Sequence, residues 1–138
     1  GIPGASDNIT VRSIVGRFLE HSRIFWFRNG GREELYISSA DWMPRNLNDR
    51  VELMVPIEDP EIKRRLKQMV DIELSDNQKA HIMQADGTWL KTISAENQLC
   101  AQEYFQKIAE KRDAEDEMTL AQKLEPYTPV LGHGDGSD

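Results

Sequence analysis

The sequence predicts an α/β fold, because stretches with helical spacing of apolar residues alternate with stretches rich in strand-forming residues. Two stretches carry this prediction. Residues 22–31 combine an aromatic-rich run with Asn29-Gly30-Gly31, a turn typical of hairpins, and residues 59–70 open with a helix cap and continue with apolar residues at helical spacing. The length of 138 residues and the hydrophobic fraction of 38% fit one globular domain with its own core.

The first predicted element is a helix over about residues 8–20. Its apolar residues recur three and four positions apart, at Val11, Ile14, Val15, Phe18 and Leu19. His21 then falls at the C-terminal end of this helix, where the partial negative charge favours a protonated imidazole.

A hairpin is predicted next. Residues 22–28 are apolar on both faces, which predicts an interior strand. Asn29-Gly30-Gly31 forms the turn, because these residues tolerate positive φ. The returning strand over residues 35–37 runs into Ser38-Ser39-Ala40-Asp41, a small polar stretch that allows backbone amides to approach a ligand.

A loop over residues 42–49 and a strand over residues 50–56 follow, the strand because apolar and polar residues alternate in it. Asp59-Pro60-Glu61 places a capping residue, a first-turn proline and an acid at a helix start. The basic residues of this helix are interpreted as a solvated face; they are Lys63, Arg64, Arg65 and Lys67.

The remainder predicts two short strands, over residues 79–83 and 89–93, and a last helix that opens at Ser94. Residues 1–110 are therefore assigned to one domain. Residues 111–138 are assigned to an acidic tail, expected to be largely disordered because it is charged, poorly patterned and rich in Pro and Gly at its end.

The cations of the first 57 residues are all arginines, at positions 12, 17, 23, 28, 32, 45 and 50. The whole chain is nevertheless acidic, with a net charge of −7. Arginine grips phosphate with two hydrogen bonds, so this bias indicates phosphate recognition. Salt bridges within the fold would produce the same bias, and the residues alone leave both interpretations open.

Several classes of protein are disfavoured. No apolar run approaches the roughly 18 residues of a membrane span, and no strand interleaves aromatic and basic residues as nucleic-acid binders do. One cysteine, Cys100, excludes an intrachain disulfide and fits a reducing, cytoplasmic compartment, although membrane association is left open. His81 and His133 are interpreted as structural. The start at Gly1 instead of Met leads us to expect a piece of a longer polypeptide.

The candidate site is a set of groups suited to phosphate, namely His21, Arg23, Ser38, Ser39, Arg45 and Arg50. Imidazole can hydrogen-bond a phosphoryl group or exchange a proton with it near neutral pH. Arginines neutralise the charge that moves onto the leaving group. For His21 alone, a structural role at a helix end is the commoner explanation.

Three stretches carry a family resemblance: Ser-Ile-Val-Gly-Arg-Phe-Leu-Glu-His-Ser-Arg-Ile at residues 13–24, Asn-Gly-Gly at 29–31, and Ser-Ser-Ala-Asp-Trp-Met-Pro-Arg-Asn-Leu at 38–47. Together they resemble the C-terminal domain of bacterial polyphosphate kinase, over about residues 1–108. The resemblance implies a fold similar to half of a phospholipase D, with a mixed sheet flanked by helices.

The resemblance also implies an activity: reversible transfer of the terminal phosphate of ATP to polyphosphate, with Mg²⁺. His21 matches the family's second essential histidine, and Arg50 matches an arginine that contacts the ATP phosphates. The other candidates are only neighbours of that surface. The family's phosphohistidine lies in a preceding domain and its metal-binding positions lie outside residues 1–138. Partners are thus the preceding domains of the chain and a homo-oligomer, and the fragment alone is expected to be inactive.

Two alternatives remain. In the first alternative, the chain is a non-catalytic module that binds a polyanion or nucleotide. In the second, it is a phosphodiesterase of the phospholipase D type. The second alternative requires a His-x-Lys pair and a Gly-Ser/Thr-x-Asn stretch. The sequence has His21-Ser22-Arg23 and a stretch that ends in Asp41, so Lys is replaced by Arg and Asn by Asp.

Overall fold

The structure is a computed structural model that describes residues 1–123, with side chains through residue 113. Helices and strands both form, so the predicted α/β class is confirmed. The strands are β1 (Arg12–Ile14), β2 (Ile24–Phe27), β3 (Glu34–Ser38), β4 (Met54–Pro56), β5 (Ala80–Met83) and β6 (Trp89–Lys91), and the helices are α1 (Pro44–Asn48), α2 (Pro60–Ser75) and α3 (Ala101–Lys123). The chain divides into two compact units, Gly1–Tyr104 and Phe105–Asp138. The described part of the second unit is the continuation of α3.

The six strands form two three-stranded sheets, ordered β1-β5-β6 and β2-β3-β4. All their pairs are antiparallel, with Ser13 opposite His81 in one sheet and Phe25 opposite Tyr36 in the other. The described sheets therefore differ from the mixed sheet that the family resemblance implied. Antiparallel neighbours can be joined by short turns, whereas parallel ones need a long crossover.

The predicted helix over residues 8–20 is wrong. β1 occupies its middle and pairs with β5, and residues 15–23 have no regular structure. Val15, Phe18 and Leu19, expected on a buried stripe, are 63%, 50% and 83% exposed. Because β-branched residues lose side-chain freedom in a helix and backbone groups here find partners in β5, strand pairing outweighs the helical spacing. His21 consequently lies in a loop and not at a helix end.

The hairpin predicted at residues 29–31 is confirmed. β2 and β3 are joined by a short 3-10 turn in which Asn29, Gly30 and Gly31 have φ of 40°, 63° and 101°. Glycine reaches positive φ without steric cost and asparagine reaches it more easily than most residues. These three residues therefore reverse the chain where the sequence predicts.

β2 is an edge strand of its sheet, so its predicted interior position is wrong. The Ser38 N–H donates to the Arg23 carbonyl, and the antiparallel alternation then turns the backbone groups of Ile24 and Trp26 away from β3. On the opposite edge, β4 turns Pro56 outward, and proline has no N–H to offer a further strand. Of these two edges, only the β4 edge carries a residue that blocks pairing.

Other boundaries were predicted with mixed success. Part of the predicted loop 42–49 forms α1, because Pro44 occupies the first helical turn, where a missing N–H costs nothing. β4 covers only the last three residues of the predicted strand. α3 begins at Ala101 and not at Ser94, whose hydroxyl instead makes a local turn. β5, β6 and the start of α2 are confirmed.

α2 joins the β2-β3-β4 sheet through one of its basic residues. Asp59 caps the helix by accepting two backbone N–H groups at 2.9 Å. Lys67 donates to Glu33 at 2.7 Å, and its ammonium lies 4.7 Å from the ring centre of Trp26. The basic face predicted to be solvated is therefore partly committed to the fold.

One fully buried carboxylate, Asp76, ties three elements together. It accepts four backbone N–H groups at 2.7 to 3.1 Å, from Gln78, Lys79, Ala80 and Ala101. Arg12 of β1 also donates to the Asp76 carbonyl at 3.1 Å. Burial raises the pKa of the carboxyl, but the four hydrogen bonds outweigh burial and hold the pKa below its ordinary value.

The apolar core of the described residues is small. Its nearly inaccessible members are Leu35, Ala80 and Ala101, while large side chains such as Trp42, at 81% exposed, lie at the surface. A domain of this length normally buries more of its apolar surface. Polar networks such as that of Asp76 therefore do much to hold the helices and strands in place. No helix among residues 1–123 is long and apolar enough to cross a membrane.

Asp76→Asn should lower the free energy of unfolding of the 138-residue chain by about 2 to 3 kcal/mol, because an amide cannot accept on both sides and one buried N–H is left facing a donor. Urea denaturation followed by circular dichroism measures the change. The exposed Asp71 on α2 offers a matched control, and Asp71→Asn should leave the midpoint nearly unchanged.

The same pair of variants has a distinct acid response. Since the pKa of Asp76 is lowered in the fold, its stabilisation is present above the unfolded value of about 4 and is lost as the pH falls through the native value. Asp76→Asn should therefore lose less stability on acidification than the parent chain. Equal acid sensitivity of the two proteins would contradict the assigned role.

Candidate functional site

The loop that carries His21 is held by Gln102, the second residue of α3. Gln102 Oε1 accepts the Phe18 N–H at 3.0 Å, and its Nε2 donates to the Phe18 carbonyl at 2.7 Å and to Glu20 at 2.9 Å. Gln102 is buried, and a Cβ on Gly16 would lie 2.2 Å from its Oε1, so a larger residue there would displace the clamping amide. This clamp gives an irregular segment a fixed path.

His21 is exposed and lies beside an ion pair. Its Nδ1 is 3.3 Å from Arg23 Nη2, and Arg23 contacts Asp41 Oδ1 through Nε at 2.7 Å and Nη2 at 2.6 Å. Arg23 directly precedes β2, Asp41 follows β3, and the Ser38 N–H donates to the Arg23 carbonyl at 3.0 Å. The β2–β3 hairpin therefore places the His-x-Arg stretch beside the stretch that ends in Asp41.

Glu52 holds the turn that follows β3. Ser39 donates its hydroxyl to one Glu52 oxygen at 2.5 Å and accepts the Leu53 N–H at 3.0 Å, and Asn46 Nδ2 donates to the other Glu52 oxygen at 2.8 Å. Asn46 is itself buried, although it belongs to the short exposed helix α1. The Ser38 hydroxyl accepts the N–H of the second residue after it. One carboxylate thus links the β3 end, α1 and the approach to β4.

The electrostatic environment of Glu52 includes the charges of two arginines of the candidate site. The hydrogen bond from Ser39 is the largest cause that lowers the pKa of Glu52, followed by that from Asn46. Partial burial opposes them, and the positive charges of Arg50 and Arg23 lower the pKa further. Both guanidinium groups therefore lie close enough to the same carboxylate for their charge to act on it.

Within residues 1–113, hydrogen bonds connect some of the predicted site residues but join neither Arg45 nor Arg50 to the others. Hydrogen bonds join His21 to Arg23, and Glu52 lies in the field of both Arg23 and the exposed Arg50. Arg45 is exposed on α1, and among residues 1–113 no hydrogen bond joins its side chain to the others. The connected group is therefore centred on the ends of β2 and β3.

A cavity of about 370 Å³ opens beside this group. Its lining includes Glu20 and Ser22, the two neighbours of His21, together with Arg12 and Glu73. Burial raises the pKa of Glu73, and the negative charge of Glu20 raises it further. No local sequence pattern predicts this cavity, because its walls come from β1, the clamped loop and α2.

A magnesium site is not formed by the described residues. Within residues 1–113, no three side chains of His, Cys, Asp or Glu lie together as metal ligands. Two carboxylates of the candidate site are engaged, Asp41 by Arg23 and Glu52 by Ser39 and Asn46. Mg²⁺ prefers free carboxylate oxygens and waters, so these side chains do not fit it.

Three residues that shape the site are absent from the predicted set. Asp41 was visible in the sequence as the acid that ends the Ser-Ser-Ala-Asp stretch, without a named partner. Glu52 was predicted only as a polar position on a strand. Gln102 had no detectable sequence pattern, because its contact with Phe18 spans 84 positions.

Residues 1–102 match the profile of the family described as Polyphosphate kinase C-terminal domain 2. The match covers well over half of the chain, and the chain therefore belongs to this family. A polyphosphate kinase from Pseudomonas aeruginosa is 54% identical over 98 residues, covering 71% of this chain and 14% of the relative. One from Synechocystis is 50% identical over 114 residues, covering 80% of this chain and 16% of the relative.

A solved structure agrees with these sequence relatives. The crystal structure of polyphosphate kinase from Porphyromonas gingivalis superposes with a TM-score of 0.71 at 37% identity, covering 83% of this chain and 18% of that chain. The predicted family is thus confirmed. The chain spans less than a fifth of the length of the relatives it matches.

Gln102→Glu should release the loop that carries His21. A carboxylate still accepts the Phe18 N–H, but it cannot donate to the Phe18 carbonyl and it repels Glu20. Losing these two hydrogen bonds, each worth about 1 kcal/mol net, should speed amide hydrogen exchange over residues 16–20 at least about fivefold. Exchange read by NMR in the 138-residue chain measures this, with Gln106→Glu on the exposed face of α3 as control. Unchanged exchange over residues 16–20 would show that the clamp does not hold the loop.

Proposed function

We propose that this chain supplies part of the ATP- and polyphosphate-binding surface of a polyphosphate kinase, an enzyme that transfers the terminal phosphate of ATP reversibly to polyphosphate. The observation that carries the proposal is the grouping of cationic groups at exposed strand ends. Arg23 contacts His21, and Arg23 and Arg50 both act on Glu52. Family membership and the names of the relatives support the same conclusion.

The arginines are assigned the role of charge stabilisation. Arg50 is exposed, so its guanidinium can donate to the oxygens of a bound phosphate. As the terminal phosphate leaves, negative charge moves onto the leaving oxygen, and a nearby guanidinium lowers the energy of that state. His21 is assigned a hydrogen bond or a proton donated to the transferring group. Arg45 borders this surface on α1.

Ser38 and Ser39 are assigned a shaping role at the same surface. The N–H groups of both are engaged: that of Ser38 donates to the Arg23 carbonyl, and that of Ser39 donates to the Leu53 carbonyl. The Ser39 hydroxyl is committed to Glu52. Direct contact with a phosphate from these residues would therefore use the Ser38 hydroxyl proton.

The remaining parts of the active site are assigned to the rest of the polypeptide. Mg²⁺, which supplies positive charge to phosphates during transfer, would be held mainly by groups outside these residues, since the carboxylates described do not fit it. The phosphohistidine belongs to a preceding domain. The enzyme would act in the cytoplasm as a homo-oligomer, and residues 111–138 would be an acidic tail to one domain over residues 1–110.

The free edge of β2 supports the view that preceding domains dock on this chain. Ile24 and Trp26 turn unpaired backbone groups outward, and the strand is apolar on both faces, as strands inside larger sheets are. Natural proteins block exposed apolar edges with charged residues or proline in the strand, and Ile24–Phe27 contains neither. We infer that a strand from the part of the polypeptide beyond these residues pairs here.

A non-catalytic polyanion-binding module is the second candidate. A cavity of about 400 Å³ lined in part by Lys63, Arg64 and Lys67 favours it. Glu33 and Asp71 line the same cavity, and Lys67 is paired with Glu33, so the local charge is mixed. The charge around His21 and Arg50 therefore supports the first candidate more strongly.

Titration of the ¹⁵N-labelled 138-residue chain with inorganic tripolyphosphate should shift amide resonances around His21 and Arg50. Arg50→Ala should weaken the apparent affinity several-fold, because a charge-assisted contact is lost. Arg28→Ala is the matched control, since Arg28 is exposed and directly follows β2, at the end of the strand away from Arg23. Shifts confined to residues 63–67 would favour the binding module instead.

In the full-length polyphosphate kinase that contains this domain, His21→Ala should reduce ATP-dependent polymer synthesis about 100-fold or more, the range typical for loss of an acid–base or phosphoryl-contacting group. The fold should persist, because His21 is exposed. A radiolabelled-ATP assay for polymer measures the effect, with His81→Ala as control. Wild-type synthesis by the His21 variant would refute the catalytic assignment.

A further inference from the structure

We propose that Asp41 and Arg23 are positioning residues that fix the tautomer of His21, so that the neutral ring carries its proton on Nε2 and presents that N–H to a phosphoryl oxygen. The inference deepens the proposed function, and its importance for catalysis rests on that function. The tautomer itself depends only on contacts within this chain. It therefore can be tested without any substrate.

The ion pair fixes the orientation of the Arg23 guanidinium. Nε of Arg23 donates to Asp41 Oδ1 at 2.7 Å, and Nη2 lies 2.6 Å from the same oxygen as an ion-pair contact. The Arg23 side chain is only 21% exposed, and its backbone carbonyl is tied to the Ser38 N–H at 3.0 Å. Such a fork, held at two nitrogens and at the backbone, keeps its geometry better than a free surface arginine.

The remaining hydrogen of Nη2 determines what His21 can do. Nη2 lies 3.3 Å from His21 Nδ1. A guanidinium has donors and no acceptor, so Nδ1 must contribute its lone pair to this contact. In a neutral imidazole only one nitrogen carries hydrogen, and the proton is then on Nε2. An imidazolium, by contrast, would point its Nδ1–H at a second donor.

The residue types at positions 23 and 41 suit the same arrangement. The chain departs from the phospholipase D pattern at two positions, with Arg23 in place of Lys and Asp41 in place of Asn. The structure makes these two residues partners in one ion pair. Lysine offers a single nitrogen on a flexible stem, whereas arginine can bind the carboxylate with two nitrogens and still direct an N–H to the histidine. The two departures therefore act as one unit.

The arrangement has a chemical consequence for the proposed reaction. A histidine whose Nδ1 faces a cation is suited to donate a hydrogen bond from Nε2 as a neutral ring. It can then stabilise charge on a phosphoryl oxygen without first taking a proton from solvent. Asp41 acts only through Arg23, and Arg23 acts on His21 from the side away from Nε2.

The test is the ¹⁵N spectrum of histidine in the labelled 138-residue chain, recorded at about pH 8.5, well above the ordinary histidine pKa of about 6.5. Long-range proton–nitrogen correlations distinguish a protonated from an unprotonated ring nitrogen. His21 Nδ1 should lie at the unprotonated limit and Nε2 at the protonated limit. A short free histidine peptide, which exchanges between both tautomers, is the reference.

Asp41→Asn should move both His21 nitrogens toward the free-peptide values, because the guanidinium loses its anchor. Asp49→Asn, the same change at an exposed position after α1, should not. Unchanged amide resonances of β2 and β3 would confirm that the variant folds. Free-peptide shifts for His21 in the parent chain, or no response to Asp41→Asn, would overturn the proposal.

A second readout separates this proposal from the proposed function. In the full-length enzyme, Asp41→Asn should lower kcat roughly 10- to 100-fold, as loss of groups that orient a functional histidine does, and leave KM for ATP nearly unchanged. A fixed tautomer together with normal activity of His21→Ala would refute the catalytic role and leave the positioning intact. A free tautomer with an inactive His21→Ala enzyme would refute the positioning and leave the function.

Discussion

The hydrogen bonds of the buried Asp76 carboxylate are the constraint on which the rest of this domain depends. Four backbone N–H groups converge on it from the start of β5 and the start of α3, and Arg12 of β1 reaches its carbonyl. With so little apolar side chain fully buried, this polar centre fixes the relative positions of elements that hydrophobic contact alone would leave loose. An anion is suited to that role because several donors can share it without competing.

The consequences of that centre reach the candidate site in two steps. By fixing the start of α3, Asp76 places Gln102, whose amide clamps both backbone groups of Phe18. The clamped loop in turn delivers His21 to the strand ends, where Arg23 and Asp41 meet it. A site made of exposed polar groups thus obtains its precision from a buried carboxylate at the opposite end of the same chain of contacts.

The sequence predicted best what short-range chemistry decides. The Asn29-Gly30-Gly31 turn and the Asp59 cap of α2 each follow from neighbouring residues, and both are present. The prediction for the start of the chain failed for the opposite reason. β1 pairs with β5, which lies almost 70 residues later in the chain. The pairing of Arg12 with Ile82 therefore cannot be detected by inspecting about eleven neighbouring residues at a time. The helical spacing of apolar residues was therefore the only pattern that the local sequence offered there, and it predicted the wrong element.

The site shows the same division. Residue types and family resemblance named the histidine and the arginines, because phosphate chemistry demands such groups. Neither residue types nor family resemblance identified the residues that hold these groups in place. Gln102 lies 84 positions from Phe18, and Glu52 gains its meaning only when Ser39 and Asn46 reach it from two sides. Reactive groups can be inferred from chemistry, while the groups that orient them become visible only in three dimensions.

The close approach of Gly16 to the Gln102 amide also bears on how this domain can diverge. Any side chain at position 16 would collide with the amide that holds the neighbouring loop. A larger residue at position 16 therefore requires the Gln102 side chain to move or to be replaced. A homologue with a bulkier residue at position 16 would have to support the histidine loop by different means.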